Sequence, residues 1–244
     1  MNPNLKTAID QLYLVFAKYE GRSTLEGSPL YDDIGIWRKE LRSKKLRELS
    51  DEDLTLFTGK MLLTWGDEND LKYYLPRILE LTAELKAPYD IWTIYSRLKD
   101  ADWENWDRQE QSAIQDFTLA LWTSLLEDNS EKAEWEFKDY FHVMVNFYPN
   151  FSELLTVWEM QESSAAYKHL SNYVLDEQRN LFVNNFINST EKNTRYIDAF
   201  KAWLISEKVL NKLEETYYKN ETADFAEKLS WAEQLLSNER KFSS

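Results

Sequence analysis

Apolar residues recur every three or four positions along most of the chain, the spacing of one face of a 3.6-residue helix. The first such stripe is Leu5, Ile9, Leu12, Phe16 and Tyr19. A second runs through Leu54, Phe57, Met61 and Trp65. Before it, Ser50 and Asp53 stand three apart as a capping box, and the carboxylates at 51–53 suit the positive end of the helix dipole. Gly66 follows Trp65, where a left-handed residue just past a helix end is expected. Asp67 to Asp70 then offer oxygens to the free N–H groups of the next helix. Pro76 removes a backbone donor, so the spacing predicts a short helix over "ENDLKYYL" and another opened by Pro76; one kinked helix is the alternative.

The same grammar continues downstream. Asp90, after Pro88-Tyr89, is the expected N-cap of "IWTIYSRLKD", and "ADWENWD" at 101–107 reads as a linker. Ile114, Phe117, Leu121 and Leu125 align, then Phe137, Phe141, Met144 and Tyr148. Asn150 with Glu153 makes a further capping pair before Leu154, Leu155 and Trp158. Next come Tyr167, Leu170 and Val174, a shorter element over 181–187, and a stretch carrying Ile197, Phe200, Leu204, Leu210, Leu213 and Tyr217. A last helix over 222–236 presents Phe225, Leu229, Ala232 and Leu236. "GRSTLEGSPLYDD" at 21–33 is the longest loop.

Turns this short make successive helices antiparallel neighbours. The expected fold is all-α, with antiparallel helical hairpins stacked in a HEAT- or armadillo-like superhelix. Tryptophans at 65, 103, 158 and 203 hint at such a repeat, although no motif recurs word for word. An irregular globular helical bundle is the alternative. One domain, 1–244, is expected, and the turn at 188–193 is the best place for a subdivision.

Composition narrows this further. Only 5 Gly and 5 Pro occur in 244 residues, against a usual combined share of about 12%. That leaves little punctuation for strands and hairpins. The chain has no cysteine, which excludes disulfides, thiolate nucleophiles and Cys-ligated zinc. No window approaches the ~20 apolar residues of a membrane span. The start reads as an amphipathic helix and not a secretory leader, so a cytoplasmic location is expected and no membrane contact. In that setting the N-x-S/T triplets at Asn150, Asn188 and Asn220 are chance.

Net charge is −14 and uneven. Residues 1–60 carry 10 basic and 10 acidic side chains, 61–150 carry 8 and 18, and 151–244 carry 11 and 15. An acidic middle repels nucleic-acid backbone and membrane surfaces and attracts basic proteins.

Catalytic chemistry finds little to stand on. The two histidines, His142 and His169, fall on separate predicted helices, without HExxH spacing. There is no G-x-S-x-G elbow, no G-x-G-x-x-G and no P-loop. "DENDLK" at 67–72 has Lys72 where a calcium loop needs glycine, and helix capping accounts for its acids. Carboxylate pairs such as Asp176-Glu177 and Glu214-Glu215 are adjacent, so they diverge by about 100° on a helix. A di-metal bundle site needs Glu-x-x-His motifs on two helices, and none is present. No enzyme is expected, and no cofactor or metal.

Two segments qualify as binding candidates. Residues 38–47 hold six cations, Arg38, Lys39, Arg42, Lys44, Lys45 and Arg47, with Trp37 at the edge. They suit an anion or nucleic-acid contact, or else pairing with the chain's own acidic middle. In "ADWENWD", Trp103 and Trp106 stand among Asp102, Glu104 and Asp107, an aromatic-acidic pair that would suit the centre of an interface with a basic protein if exposed. Most other aromatics fall on helix stripes.

Thr64-Trp65-Gly66-Asp67, followed by Tyr73-Tyr74 and Leu75-Pro76-Arg77-Ile78-Leu79-Glu80-Leu81, resembles a block of bacterial proteins of uncharacterised activity. There "TWG" and an acid precede an aromatic pair and "LPR-[ILV]-LEL". The resemblance covers about an eighth of the chain and implies a bacterial cytoplasmic setting; "LPRILEL" also looks like the opening of a HEAT-type helix. The functional expectation is a non-enzymatic acidic module that binds a protein partner, in one form an immunity-type inhibitor of a basic toxin or nuclease. The alternative is a regulatory nucleic-acid-associated module using 38–47.

Overall fold

The computed structural model describes residues 2–21, 34–187 and 194–243, apart from the side chains of Ile34, Arg38 and Ser243. The longest expected loop, from residue 22, and the turn at 188–193 lie outside the described residues. Those described form α1 Pro3–Phe16, α2 Ile34–Arg42, α3 Asp51–Lys60, α4 Glu68–Ala83, α5 Ile91–Asp100, α6 Arg108–Glu127, α7 Glu131–Phe147, α8 Phe151–Glu159, α9 Ser164–Arg179, α10 Ile197–Leu204, α11 Glu207–Lys219 and α12 Ala226–Ser243. The fold is all-α, and no strand occurs among the described residues. The chain resolves into two compact units, Met1–Leu121 and Trp122–Ser244. The division falls within α6, not at the 188–193 turn that the sequence suggested.

In the first unit α1 packs on α4, and α3 packs on α2, α4 and α5. Asn2 caps α1 ahead of Pro3, its Oδ1 accepting from the Leu5 amide at 3.0 Å, and Leu5, Ile9, Leu12 and Phe16 are buried as one face. Ser50 and Asp53 form the expected reciprocal capping box on α3.

Two local expectations are corrected here. Helix α4 runs without a break through Pro76. An internal proline costs about 3 kcal/mol. Against that, α4 buries Leu71, Tyr74, Leu75, Ile78, Leu79 and Leu81, each a gain of about 1.5–3 kcal/mol. Packing therefore outweighs the missing donor. Helix α3 stops at Lys60, five residues earlier than its apolar stripe implied. The amides of Leu63, Thr64 and Trp65 converge on the Lys60 carbonyl at 3.1, 3.0 and 3.2 Å, and Leu62 takes the left-handed conformation at φ 64°. Gly66, at φ 73°, is the second left-handed residue, and it delivers the chain to Asp67. Asp67 Oδ1 then accepts from the amides of Asn69 and Asp70, while Asp70 Oδ2 accepts from the Asp67 amide. "WGD" is therefore a corner between helices.

A Cβ at Gly66 would stand 3.2 Å from Cβ of Asp70 and 3.2 Å from Phe57 Cε2, in a conformation L residues avoid. Gly66→Ala is expected to cost about 1–2 kcal/mol, read as a lower urea midpoint at unchanged m-value. An unchanged midpoint would mean that the corner is not held in this conformation.

In the second unit α9 is the common partner of α7, α11 and α12, and α11 also packs on α10 and α12. Neighbour-on-neighbour pairs such as α10 with α11 are accommodated equally by stacked hairpins and by a bundle. The stripe from Ile197 to Tyr217 breaks into α10 and α11 because Ser206 caps the second helix, accepting from the Val209 amide at 3.3 Å. The short element after α9 is a π-helical turn over Asn180–Asn184, closed by Asn185 at φ 60°. The last helix starts four residues later than expected and continues to Ser243.

Candidate functional site

The aromatic-acidic stretch at 102–107 is not an exposed patch. Trp103 and Trp106 are only 6% and 7% exposed. Residues Trp103–Asn105 form a 3-10 turn after Asp102, which adopts the left-handed conformation that aspartate tolerates better than most residues. Trp106 donates from Nε1 to the Ala101 carbonyl at 3.0 Å, packs edge-on to Phe16, and carries the Lys72 ammonium 4.1 Å above its ring. The three acids are exposed, but two have local work. Asp102 accepts from Asn105 Nδ2 at 2.8 Å, and Asp107 accepts from the Gln109 amide at the start of α6. Both tryptophans belong to the core of the first unit.

The basic stretch is partly consumed by pairing. Lys44 meets Asp53 at 2.5 Å; Arg47 meets Asp10 at 2.7 Å and lies over the Tyr13 ring at 4.0 Å. These partners come from the first 60 residues and not from the acidic middle. Lys39 and Arg42 are exposed on α2, while the side chain of Arg38 is outside the described residues.

The histidines have separate surroundings. Tyr173 donates from its hydroxyl to the Ile187 carbonyl at 3.0 Å, which leaves the Tyr173 hydroxyl oxygen to accept from Nε2–H of His142 at 3.0 Å. His169 donates from Nε2 to the Asp128 carbonyl at 2.8 Å, and its ring stacks on Phe137 with centroids 4.5 Å apart. Among the described residues no group of three or more His, Cys, Asp or Glu side chains could hold a metal ion.

Burial pushes His142 down to about 4, against a smaller opposing pull from Glu177. Its folded pKa lies below its unfolded one, so the unfolded chain takes up the proton first. Stability from this site is full above pH 6.5 and falls as pH drops towards 4. His142→Gln should make the decline of the urea midpoint over that window shallower. Some slope should persist, because burial lowers His169 as well. A profile identical to the parent would show that His142 is not buried in its neutral form.

A further surface lies on α7, α9 and α12 of the second unit. Glu131, Trp135 and Asp139 follow one another at four-residue steps along α7 and share a face. They line a groove of about 520 Å³ together with Leu175 and Asp176 of α9 and Lys228 of α12. Trp135 is 85% exposed, in the same helix that buries Phe137 and Phe141 completely or nearly so. The groove's cations are already engaged: Lys138 meets Glu177 at 3.0 Å, and Lys228 donates to Asn172 Oδ1 at 2.8 Å. Glu134 is held by Lys168 at 2.7 Å and by Asn172. Burial opposes its charged form, but those two hydrogen bonds hold its pKa below the usual carboxylate range. Glu131, Asp139 and Asp176 are exposed and have no ion-pair partner among the described residues.

Sequence reasoning passed over Trp135, although a signal was present. It sits between Glu134 and Glu136, off the stripe of Phe137, Phe141 and Met144, and so cannot share their burial. No helix among the described residues is long and apolar enough to cross a membrane. Comparison of the chain with protein-family models, with curated proteins and with solved structures gave no match.

Proposed function

We propose that this chain is a non-enzymatic, acidic protein-binding module that acts in the cytoplasm and presents carboxylates to a basic protein. An immunity-type inhibitor that occludes a basic toxin or nuclease is one form of this activity. The observation that carries the reading is the groove on α7, α9 and α12. There a largely exposed tryptophan stands beside Glu131, Asp139 and Asp176, which have no ion-pair partner among the described residues. Exposed aromatic surface rimmed by charge is characteristic of contact sites, and the acids select the sign of the partner. The acidic balance of residues 61–150 and the resemblance of the Trp65-Gly66 block to bacterial proteins point the same way.

Native co-purification at about 50 and 500 mM salt, followed by reconstitution from purified components, tests this. A stoichiometric complex with a basic protein that weakens at the higher salt is the expected result. Recovery of the free chain alone at every salt concentration would overturn it. The nucleic-acid reading has less support, since Lys44 and Arg47 are engaged by Asp53 and Asp10.

A further inference from the structure

We propose that the groove between α7, α9 and α12 receives an arginine-bearing basic peptide segment of a protein partner, with Trp135 stacking on a guanidinium and Glu131, Asp139 and Asp176 pairing with it and with flanking cations. This rests on the reading of the chain as an acidic protein-binding module and gives that module its contact surface.

Charge decides the class of occupant. Glu131, Glu134, Asp139 and Asp176 line the groove together with Lys138 and Lys228, and both lysines are already bonded. An incoming anion would meet three exposed carboxylates and no free cation from the lining. A neutral apolar segment could bury Trp135 and Leu175 but would strip water from those carboxylates without compensation. A cationic segment satisfies both sets of groups. The volume, about 520 Å³, lies within the range of clefts that hold ligands.

The indole decides between arginine and lysine. Trp135 lies one helical turn from Glu131 on one side and from Asp139 on the other. A planar guanidinium can lie on the exposed ring face and still direct N–H groups sideways to a carboxylate, whereas an ammonium is a hydrated point charge that does one or the other. A second copy of this chain is a poorer occupant, because the protein carries −14 overall and its basic stretch already spends Lys44 and Arg47 internally.

The test uses the full chain labelled with 5-fluorotryptophan, with the Trp135 resonance assigned by its absence in Trp135→Phe. Hexa-arginine and hexalysine peptides are titrated at about 50 mM salt. The expected result is a saturable shift of the Trp135 resonance, about two- to fivefold tighter for the arginine peptide. Binding should weaken at least tenfold in the combined variant Glu131→Gln, Asp139→Asn, Asp176→Asn, with an unchanged thermal melt. A silent Trp135 resonance, equal affinity for the two peptides, or undiminished binding by the triple variant would overturn the inference. So would a homodimer in sedimentation that the triple variant abolishes, since it makes a second copy the occupant. A native complex that reconstitutes equally with parent and triple variant would remove this groove and leave the binding module standing. Absence of any native partner would remove the module itself.

Discussion

Trp158→Ala is expected to destabilise the chain by about 4 kcal/mol, the middle of the range for aromatic core truncations. Trp158 is fully buried in the second unit, and its ring lies 5.1 to 5.4 Å from those of Trp122, Phe137, Phe141 and Trp203. Most of these contacts are edge-to-face or tilted, the arrangements in which ring quadrupoles attract. The side chain also donates from Nε1 to the Ala166 carbonyl at 3.0 Å. Truncation therefore opens a cavity and removes a buried hydrogen bond to the Ala166 carbonyl. Trp135→Ala is the matched control: that side chain is 85% exposed, and its loss should change stability by no more than about 0.5 kcal/mol. Urea unfolding followed by far-UV circular dichroism separates the two. Equal losses would contradict the placement of one tryptophan in the core and the other on the surface.

That contrast marks what could be read from the residues. Phe137, Phe141 and Met144 repeat at three and four, so the buried face of α7 was legible from spacing alone, as were the caps at Ser50, Asp90 and Asn150. Those features are local, and local chemistry decides them. Pro76 was misread because its cost is local while its compensation, the burial of both flanks of α4, depends on α1 and α3 arriving from elsewhere. Trp103 and Trp106 were misread for the same reason. Acidic neighbours suggest a wet linker, yet the turn after left-handed Asp102 buries both rings, that of Trp106 against Phe16 and Lys72. The groove was illegible because it joins three helices that the sequence separates by about a hundred residues; only the odd position of Trp135 pointed to it.

Glu110→Ala should cost about 3 kcal/mol, the lower end for breaking a buried ion pair. The Glu110 side chain is 1% exposed in the first unit, and three groups converge on it. Tyr19 donates its hydroxyl to Oε1 at 2.5 Å, Lys18 lies 2.9 Å from Oε1, and Lys72 lies 3.1 Å from Oε2. Burial alone would raise this carboxyl, but the Tyr19 hydroxyl and the Lys18 and Lys72 ammonium groups beside it hold it below the usual carboxylate range. Lys18 is half exposed and can turn to water when the carboxylate is lost; Lys72, 8% exposed, cannot. Its remaining partner, Glu68 at 2.9 Å, keeps the loss from being larger. Replacing both members, as in Lys72→Met with Glu110→Met, should therefore recover part of the deficit, because no uncompensated ammonium is left inside. The pH dependence carries the opposite test. Since the folded pKa is depressed, the contribution of Glu110 is complete above about pH 4.3 and is lost as pH falls through the folded value. Glu110→Gln should make the acid limb of the stability profile shallower without abolishing it, since Asp53 and Glu134 are depressed in the same sense. An acid limb as steep as the parent's would show that the carboxylate is not held ionised by Lys72 and Tyr19.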